Sequence, residues 1–187
     1  MEKLLNIAGF VPESITDGPG IRFVVFCQGC VHKCYGCHNS ETWSFEIKEN
    51  YTALQIYEKI KSNPLITGIT FSGGDPMCQA EGFVSLAKLC KKSNLEIALY
   101  TGYTYEDLIQ NGSKYQKELL ENIDVLIDGK FILEQKSLSI KFKGSTNQRI
   151  IDVKESLMQD RVILKKDNRW MDQQDDLFPP VNINYGY

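Results

Sequence analysis

The sequence predicts an α/β fold in which a parallel sheet curves into a partial, incomplete βα barrel. Segments with helical periodicity alternate with short β-branched or aromatic segments, and three of the latter end in a loop that contains glycine. This alternation is typical of βαβ units, which place parallel strands side by side with helices outside them. Only four or five strands are evident, and 187 residues leave no room for the eight units of a closed barrel.

The first predicted strand, residues 21–27, runs from a turn directly into a group of cysteines. Its central residues are apolar without alternation, which indicates burial on both faces, as in a parallel sheet covered by helices. Thr52 and Gln55 then form a capping-box pattern that predicts the start of a helix. A second strand, residues 66–71, leads into Ser72-Gly73-Gly74-Asp75, where paired glycines would let main-chain amides approach a ligand closely.

The remaining segments repeat this order. Helices are predicted over 81–93, 105–110 and 114–121, and strands over 95–100 and 123–127. Because the carboxyl ends of parallel strands gather at one edge of a sheet, the glycine loops and the cysteines should meet there. The alternation stops after Ile151. Residues 1–152 are therefore predicted as the main domain and 153–187 as a C-terminal extension, irregular over 173–187.

Four of the six cysteines crowd into eleven residues: Cys27, Cys30, Cys34 and Cys37. The last three have the spacing C-x3-C-x2-C, which lets their thiolates surround one face of a metal ion or an iron–sulfur cluster. Such crowding favours metal or cluster binding over a disulfide framework. Three cysteines that leave one iron open would suit a cluster that binds a small molecule.

A zinc-binding interaction module is the alternative from a different class. Zinc accepts four thiolates, or three thiolates and an imidazole from His32 or His38, but its sites usually pair two C-x2-C halves across a longer loop. We interpret both histidines as loop residues. Cys27, Cys78 and Cys90 are interpreted as small buried hydrophobic residues.

Composition argues against several other classes. The formal net charge of −3 is unfavourable for a broad grip on nucleic acid, which needs clustered basic residues. No apolar run is long enough to suggest a membrane span, and the amino terminus does not predict a signal peptide. A reducing cytoplasmic location is expected.

Several segments together resemble a known family. The cysteine spacing is similar to the cluster motif of the radical S-adenosylmethionine superfamily. The fuller set, over about residues 14–152, resembles the activating proteins of anaerobic (class III) ribonucleoside-triphosphate reductases. The segments that carry the resemblance are Asp17-Gly18-Pro19-Gly20, Gly29-Cys30-Val31-His32, Gly36-Cys37-His38-Asn39, Ser72-Gly73-Gly74-Asp75-Pro76, Thr101-Gly102-Tyr103, Asp128-Gly129-Lys130-Phe131 and Gly144-Ser145-Thr146-Asn147-Gln148-Arg149.

The resemblance implies a partial βα barrel of the radical S-adenosylmethionine type, with a catalytic [4Fe-4S] cluster on Cys30, Cys34 and Cys37. S-adenosylmethionine would chelate the fourth iron, and one electron from flavodoxin or ferredoxin would break its C–S bond. The resulting 5′-deoxyadenosyl radical would take a hydrogen atom from a glycine of the reductase large subunit, which an open barrel would admit as a loop. The residues implied in S-adenosylmethionine binding are Gly36, Cys37, His38, Ser72, Gly73, Gly74 and Asp75.

Two positions depart from the wider superfamily. Gly36 stands where an aromatic residue often precedes the third cysteine, with Tyr35 one position earlier, and Asp75 stands where glutamate is common. An activase for another glycyl-radical enzyme, such as pyruvate formate-lyase, is the alternative within the same chemistry. The short chain and residues 144–149 favour the reductase, and the same residues are a candidate contact with it or an ordinary turn.

Overall fold

A computed structural model of the chain describes residues 3–171, which form a mixed α/β fold. The strands are β1 Leu5–Ser14, β2 Arg22–Cys27, β3 Glu49–Tyr51, β4 Gly68–Gly73, β5 Glu96–Tyr100, β6 Val125–Asp128 and β7 Arg149–Asp152. The helices are α1 Ala53–Lys61, α2 Ala80–Lys91, α3 Tyr105–Asn111, α4 Lys114–Glu121 and α5 Val153–Gln159. All seven strands join one sheet in the order β3-β1-β2-β4-β5-β6-β7.

The centre of the sheet is parallel, and its edges are antiparallel. Strands β2, β4, β5 and β6 pair in parallel, which confirms the predicted βαβ alternation. Strands β1 and β3 on one side and β7 on the other pair antiparallel, and the sequence did not reveal them. Gly9 and Pro12 weaken the strand pattern of β1, and its pairing with β2 contains two register shifts.

The predicted helix signals are borne out. The side chain of Thr52 accepts the N–H of Gln55 at 3.1 Å, and the side chain of Gln55 accepts the N–H of Thr52 at 2.8 Å, which completes the capping box of α1. The chain also breaks between α3 and α4 at Gly112. Helix α5 follows the point at which the alternation was predicted to stop. No helix within residues 3–171 has the length and apolar character needed to cross a membrane.

Two hydrophobic clusters cover the faces of the sheet. The larger one fills the space between the sheet and helices α1 to α4. The smaller one lies on the opposite face and consists of Ala98, Val125, Ile127, Ile150 and Trp170. Trp170 is fully buried there, so the described part of the predicted extension contributes to the core. The predicted irregular tail lies outside the described residues.

A buried polar group closes the end of the sheet opposite to the cysteines. Arg22, at the start of β2, donates to Glu96 at 2.9 Å and to Thr70 at 2.8 Å. The ring of Trp170 lies 5.3 Å from the Arg22 guanidinium, a cation–π contact. A site can therefore form at the other end of the sheet, where the carboxyl ends of the parallel strands lie.

Candidate functional site

The end of β4 crosses the start of the cluster loop, residues 28–39, at main-chain contact. The N–H of Gly74 donates to the carbonyl of Cys27 at 2.8 Å, and the N–H of Asp75 donates to that of Gly29 at 2.9 Å. A Cβ atom on Gly74 would lie 2.2 Å from the Gly29 oxygen, and one on Gly73 would lie 2.6 Å from the Cys27 nitrogen. The glycine pair is thus required by this crossing. The amide of Gly74 is occupied within the chain, which differs from the expectation that it faces a ligand.

The main chain favours the thiolate form of Cys30, Cys34 and Cys37. Cys30 is buried, whereas Cys34 and Cys37 are partly exposed at the edge of the sheet. N–H donors stabilise a thiolate, which is the form that binds iron. The main-chain N–H groups of His32 and Lys33 lower the pKa of Cys30, and that of Phe131 lowers the pKa of Cys34. The sulfur of Cys37 accepts the N–H of Asn39 at 3.4 Å.

Burial and hydrogen bonding act in opposite directions on these thiols. Burial raises the pKa of Cys30 and of Cys34, and the N–H donors offset part of that rise. The charge of Lys130 further favours the thiolate of Cys34. At Cys90, burial alone raises the pKa to about 12. The cluster loop is therefore the better place for thiolate ligands.

The other cysteines occupy two kinds of position. Cys27 and Cys90 are fully buried in the helix-side cluster. Cys78 is partly exposed beside the cluster loop, and burial raises its pKa to about 12 despite the opposing effect of the Val31 main chain. Within residues 3–171, no three side chains of His, Cys, Asp or Glu converge as ligands of a single metal ion.

Asp75 connects the ends of three strands. Its side chain is 1% exposed and accepts the N–H of Met77 at 2.9 Å, the hydroxyl of Thr101 at 2.9 Å and the N–H of Gly102 at 3.0 Å. The Nε2 atom of His32 lies 2.8 Å from the same carboxylate but lacks hydrogen-bond geometry, so this contact is an ion pair only if His32 is protonated. A carboxylate offers about four lone-pair sites, and the chain itself uses most of those on Asp75.

His32 lies in the cluster loop, as the sequence predicted, and its side chain is held tightly there. Its side chain is 7% exposed and meets the ring of Tyr103 edge to face, with centroids 4.5 Å apart. A Cβ atom on Gly102 would lie 2.4 Å from the His32 ring. The motif Thr101-Gly102-Tyr103 thus fixes His32, which lies between Cys30 and Cys34 in the chain.

A second loop, residues 129–136, lies against the other end of the cluster loop and is called the side loop below. Besides the N–H of Phe131 on Cys34, the Phe131 ring lies 5.3 Å from that of His38. A Cβ atom on Gly36, whose φ is +74°, would lie 2.9 Å from the Leu133 side chain. The predicted ligand-binding residues Gly36 and His38 are therefore in contact with the side loop.

Comparisons with known proteins agree with this geometry. The family model described as "4Fe-4S single cluster domain" matches residues 16–151. The anaerobic ribonucleoside-triphosphate reductase-activating proteins of Vibrio cholerae and Enterobacteria phage T4 are 38% and 36% identical to the chain. The matches cover 78% of the chain and 97% and 93% of those proteins. The Escherichia coli K12 protein of the same name is 33% identical over 77% of the chain and 96% of its own length.

The chain belongs to this family of activating proteins. A solved structure, that of QueE from Escherichia coli, matches 72% of the chain and 74% of its own length, with a TM-score of 0.44 and 15% identity. This likeness is too weak to carry an argument. The family and the cysteine geometry carry the assignment that follows.

The residues of this activating protein fit a [4Fe-4S] cluster in donor chemistry. Cys30, Cys34 and Cys37 share one loop, each with N–H support. Fewer groups of the predicted residues are free to bind S-adenosylmethionine. Because the carboxylate of Asp75 and the amide of Gly74 are engaged within the chain, a cationic amino group at this stretch would bind carbonyl oxygens or displace a donor from Asp75.

A cavity of about 570 Å³ adjoins the cluster loop on the side of α3 and α4. That volume lies within the range of small-molecule sites. None of the residues predicted to bind S-adenosylmethionine lines it. The lining residues are Val31, His32, Gly102, Tyr103, Asp107, Leu108, Asn111, Gly112, Gln116 and Lys130.

Sequence reasoning missed the roles of His32, Thr101 and Leu133. His32 and Thr101 meet at Asp75, and Leu133 meets Gly36, yet these partners are far apart in the chain. The motifs that contain Thr101 and Phe131 were the available signal, because each follows a predicted strand. The sequence did not indicate which atoms they would contact.

Proposed function

We propose that the chain generates a glycyl radical on an anaerobic ribonucleoside-triphosphate reductase by reductive cleavage of S-adenosylmethionine at a [4Fe-4S] cluster. The observation that carries the proposal is the set of three cysteines at C-x3-C-x2-C spacing in one loop at the carboxyl ends of parallel strands, where the main chain favours their thiolates. Membership of the family of reductase-activating proteins supports the choice of reaction and partner.

In this proposal Cys30, Cys34 and Cys37 hold the cluster through three irons and leave the fourth for S-adenosylmethionine. The bound groups supply one-electron cleavage of the C–S bond and hydrogen abstraction from the reductase glycine. The chain itself orients them. Asp75 fixes the end of β5, Gly102 and Tyr103 hold His32 in the cluster loop, and the side loop braces the Cys34 end. Gly36, Cys37, His38 and Ser72 to Asp75 are the proposed contacts of S-adenosylmethionine.

Two features of the sheet support the proposal of a partial βα barrel of the radical S-adenosylmethionine type. Four parallel strands form its centre, and α1 to α4 cover one face. On the opposite face, Trp170 and Phe142 pack beneath Tyr100, so a partner loop would enter from the cysteine end. We assign residues 1–152 as the radical S-adenosylmethionine domain and 153–187 as an extension, which Val153 and Trp170 dock to the sheet.

The reductase large subunit is the proposed protein substrate, and flavodoxin or ferredoxin is the proposed electron donor. A cytoplasmic location fits the six free cysteines, which a reducing compartment would preserve. The net charge of −3 is unfavourable for binding nucleic acid, so we propose no nucleic-acid partner.

The test is an electron paramagnetic resonance spectrum of reduced protein, S-adenosylmethionine and reductase mixed without oxygen. A glycyl doublet should appear only when all three are present, and Cys34→Ala should abolish it while Cys90→Ala, at a cysteine of the hydrophobic core on α2, retains it. A doublet on a different glycyl-radical enzyme from the same cell, with none on the reductase, would overturn the choice of substrate. No doublet on either would overturn the activity.

A further inference from the structure

Residues 144–149 hold both ends of the side loop. The Nε2 atom of Gln148 donates to the carbonyl of Gly129 at 3.0 Å, and the Nδ2 atom of Asn147 donates to that of Lys130 at 2.8 Å. At the other end, the N–H of Thr146 donates to the carbonyl of Gln135 at 2.9 Å. The side loop is therefore tied down at its start and at its end by one short segment.

Gln148 also holds the segment itself in shape. Its Oε1 atom accepts the N–H of Gly144 at 2.8 Å and that of Ser145 at 3.2 Å. Ser145 is fully buried, and its hydroxyl accepts the N–H of Ile132 at 3.2 Å, in the middle of the side loop. One amide side chain thus joins the segment to the loop while fixing the segment's own turn.

Arg149 anchors the segment to the sheet and to α3. It donates to Asp128 through Nε at 3.0 Å and to both carboxylate oxygens of Glu106 at 2.9 and 2.7 Å. Burial alone would lower the pKa of Arg149, but the hydrogen bonds to Asp128 and Glu106 outweigh it and leave the pKa above its ordinary value. Arg149 therefore stays positively charged at neutral pH and keeps its bonds to Asp128 and Glu106.

These bonds leave little of the segment for a partner. Both polar atoms of the Gln148 amide and the Nδ2 atom of Asn147 are bound to this chain's own main chain. Within residues 3–171, the Oδ1 atom of Asn147 has no partner, and it is buried rather than presented on the surface. These side chains therefore have few free polar atoms for the contact with the reductase that the sequence suggested.

We propose that residues 144–149 are a clamp that presses the side loop onto the cluster loop and limits access of water and oxygen to Cys34. Asn147, Gln148 and Arg149 are then positioning residues, acting through Phe131 and Leu133. The part that concerns the cluster rests on the proposed function, whereas the clamp itself is a property of the chain without cofactor. Its first test accordingly needs no activity.

The first measurement is amide hydrogen exchange of the full chain, purified without cluster under reducing conditions. Gln148→Ala should speed exchange over residues 129–136 on the order of tenfold, because it removes the hydrogen bond to Gly129 in the loop and the two bonds that shape the segment holding the loop. Gln148→Glu keeps the acceptor for Gly144 and Ser145 but loses the donor to Gly129, so its effect should be intermediate. Gln159→Ala removes an exposed glutamine of α5 and should change nothing. Unchanged exchange in α1 and α2 checks that each variant is folded.

The second measurement is the rate at which air bleaches the visible absorbance of the reconstituted cluster. Gln148→Ala should bleach several-fold faster than the parent and the Gln159→Ala control. Unchanged exchange over residues 129–136 would overturn the clamp, and faster exchange with unchanged bleaching would overturn its effect on access. If Gln148→Ala weakens only reductase binding, the segment is a partner contact instead. A failed glycyl-radical experiment would leave the exchange result standing, so the two proposals fail separately.

Discussion

Replacing Asp75 by alanine should destabilise the protein even when no cofactor is present. The change leaves the buried N–H of Met77 and the partly buried N–H of Gly102 without their acceptor, and it also removes the partner of the Thr101 hydroxyl. An unsatisfied buried donor costs about 1–3 kcal/mol, so we expect Asp75→Ala to lower the free energy of unfolding by about 2–4 kcal/mol.

Urea unfolding of the chain without cluster, followed by circular dichroism under reducing conditions, measures this loss. Asp75→Asn keeps one acceptor oxygen, so it should cost less than Asp75→Ala. Asp107→Asn, at an exposed aspartate of α3, is the matched control and should change the free energy of unfolding by about 0.5 kcal/mol or less. The resemblance also predicts that Asp75→Ala weakens S-adenosylmethionine binding.

The two roles of Asp75 give different results. A loss of stability below about 0.5 kcal/mol, together with a clear loss of S-adenosylmethionine affinity by calorimetry, would refute the structural role. Asp75 would then act by direct contact with the cofactor. A large loss of stability in the cofactor-free chain supports the hydrogen-bonding role described above.

Three further predictions follow from single contacts. Gly74→Ala should lower the free energy of unfolding by about 3 kcal/mol, because its Cβ would lie 2.2 Å from the cluster-loop main chain. Gly9→Ala is the control and should not destabilise the protein, because nothing lies within 4 Å of its Cβ. Urea unfolding of the two variants compares them. The hydrogen bond from Arg149 lowers the pKa of Glu106 from its ordinary value of 4.5. Glu106→Gln should therefore reduce the free energy of unfolding by less than about 1 kcal/mol at neutral pH. This difference between the variant and the parent should vanish as the pH falls through the lowered pKa of Glu106. Trp170→Ala should cost about 3–5 kcal/mol in the same assay, since the side chain is fully buried; a loss below 1 kcal/mol would contradict its role in the core.

The parallel centre of the sheet was predictable because its signals are local. The apolar run of β2, the capping box at Thr52 and the glycine that separates α3 from α4 each act within a few residues. The edge strands were not predictable in the same way. Strand β3 has only three residues, two of them polar, and it exists because β1 provides hydrogen-bond partners. Trp170 likewise stands alone in a polar segment without periodicity.

The site residues also divide into those that local sequence predicts and those that only the fold brings together. Spacing alone brought Cys30, Cys34 and Cys37 into one loop, because short gaps keep neighbouring thiols close. The partners of Asp75 come from β5 and from the cluster loop, and only the order of the strands brings them together. For the same reason the sequence did not reveal that the glycine pair lies at a crossing of two main chains.

The most direct test of the account is the iron and sulfide content of anaerobically reconstituted protein. The account predicts about four irons per chain, lost in each of Cys30→Ala, Cys34→Ala and Cys37→Ala and retained in Cys27→Ala, Cys78→Ala and Cys90→Ala. Loss of iron in Cys27→Ala or Cys78→Ala equal to that in Cys34→Ala would contradict the ligand assignment. Stoichiometric zinc without visible absorbance in anaerobically prepared protein would contradict the cluster itself.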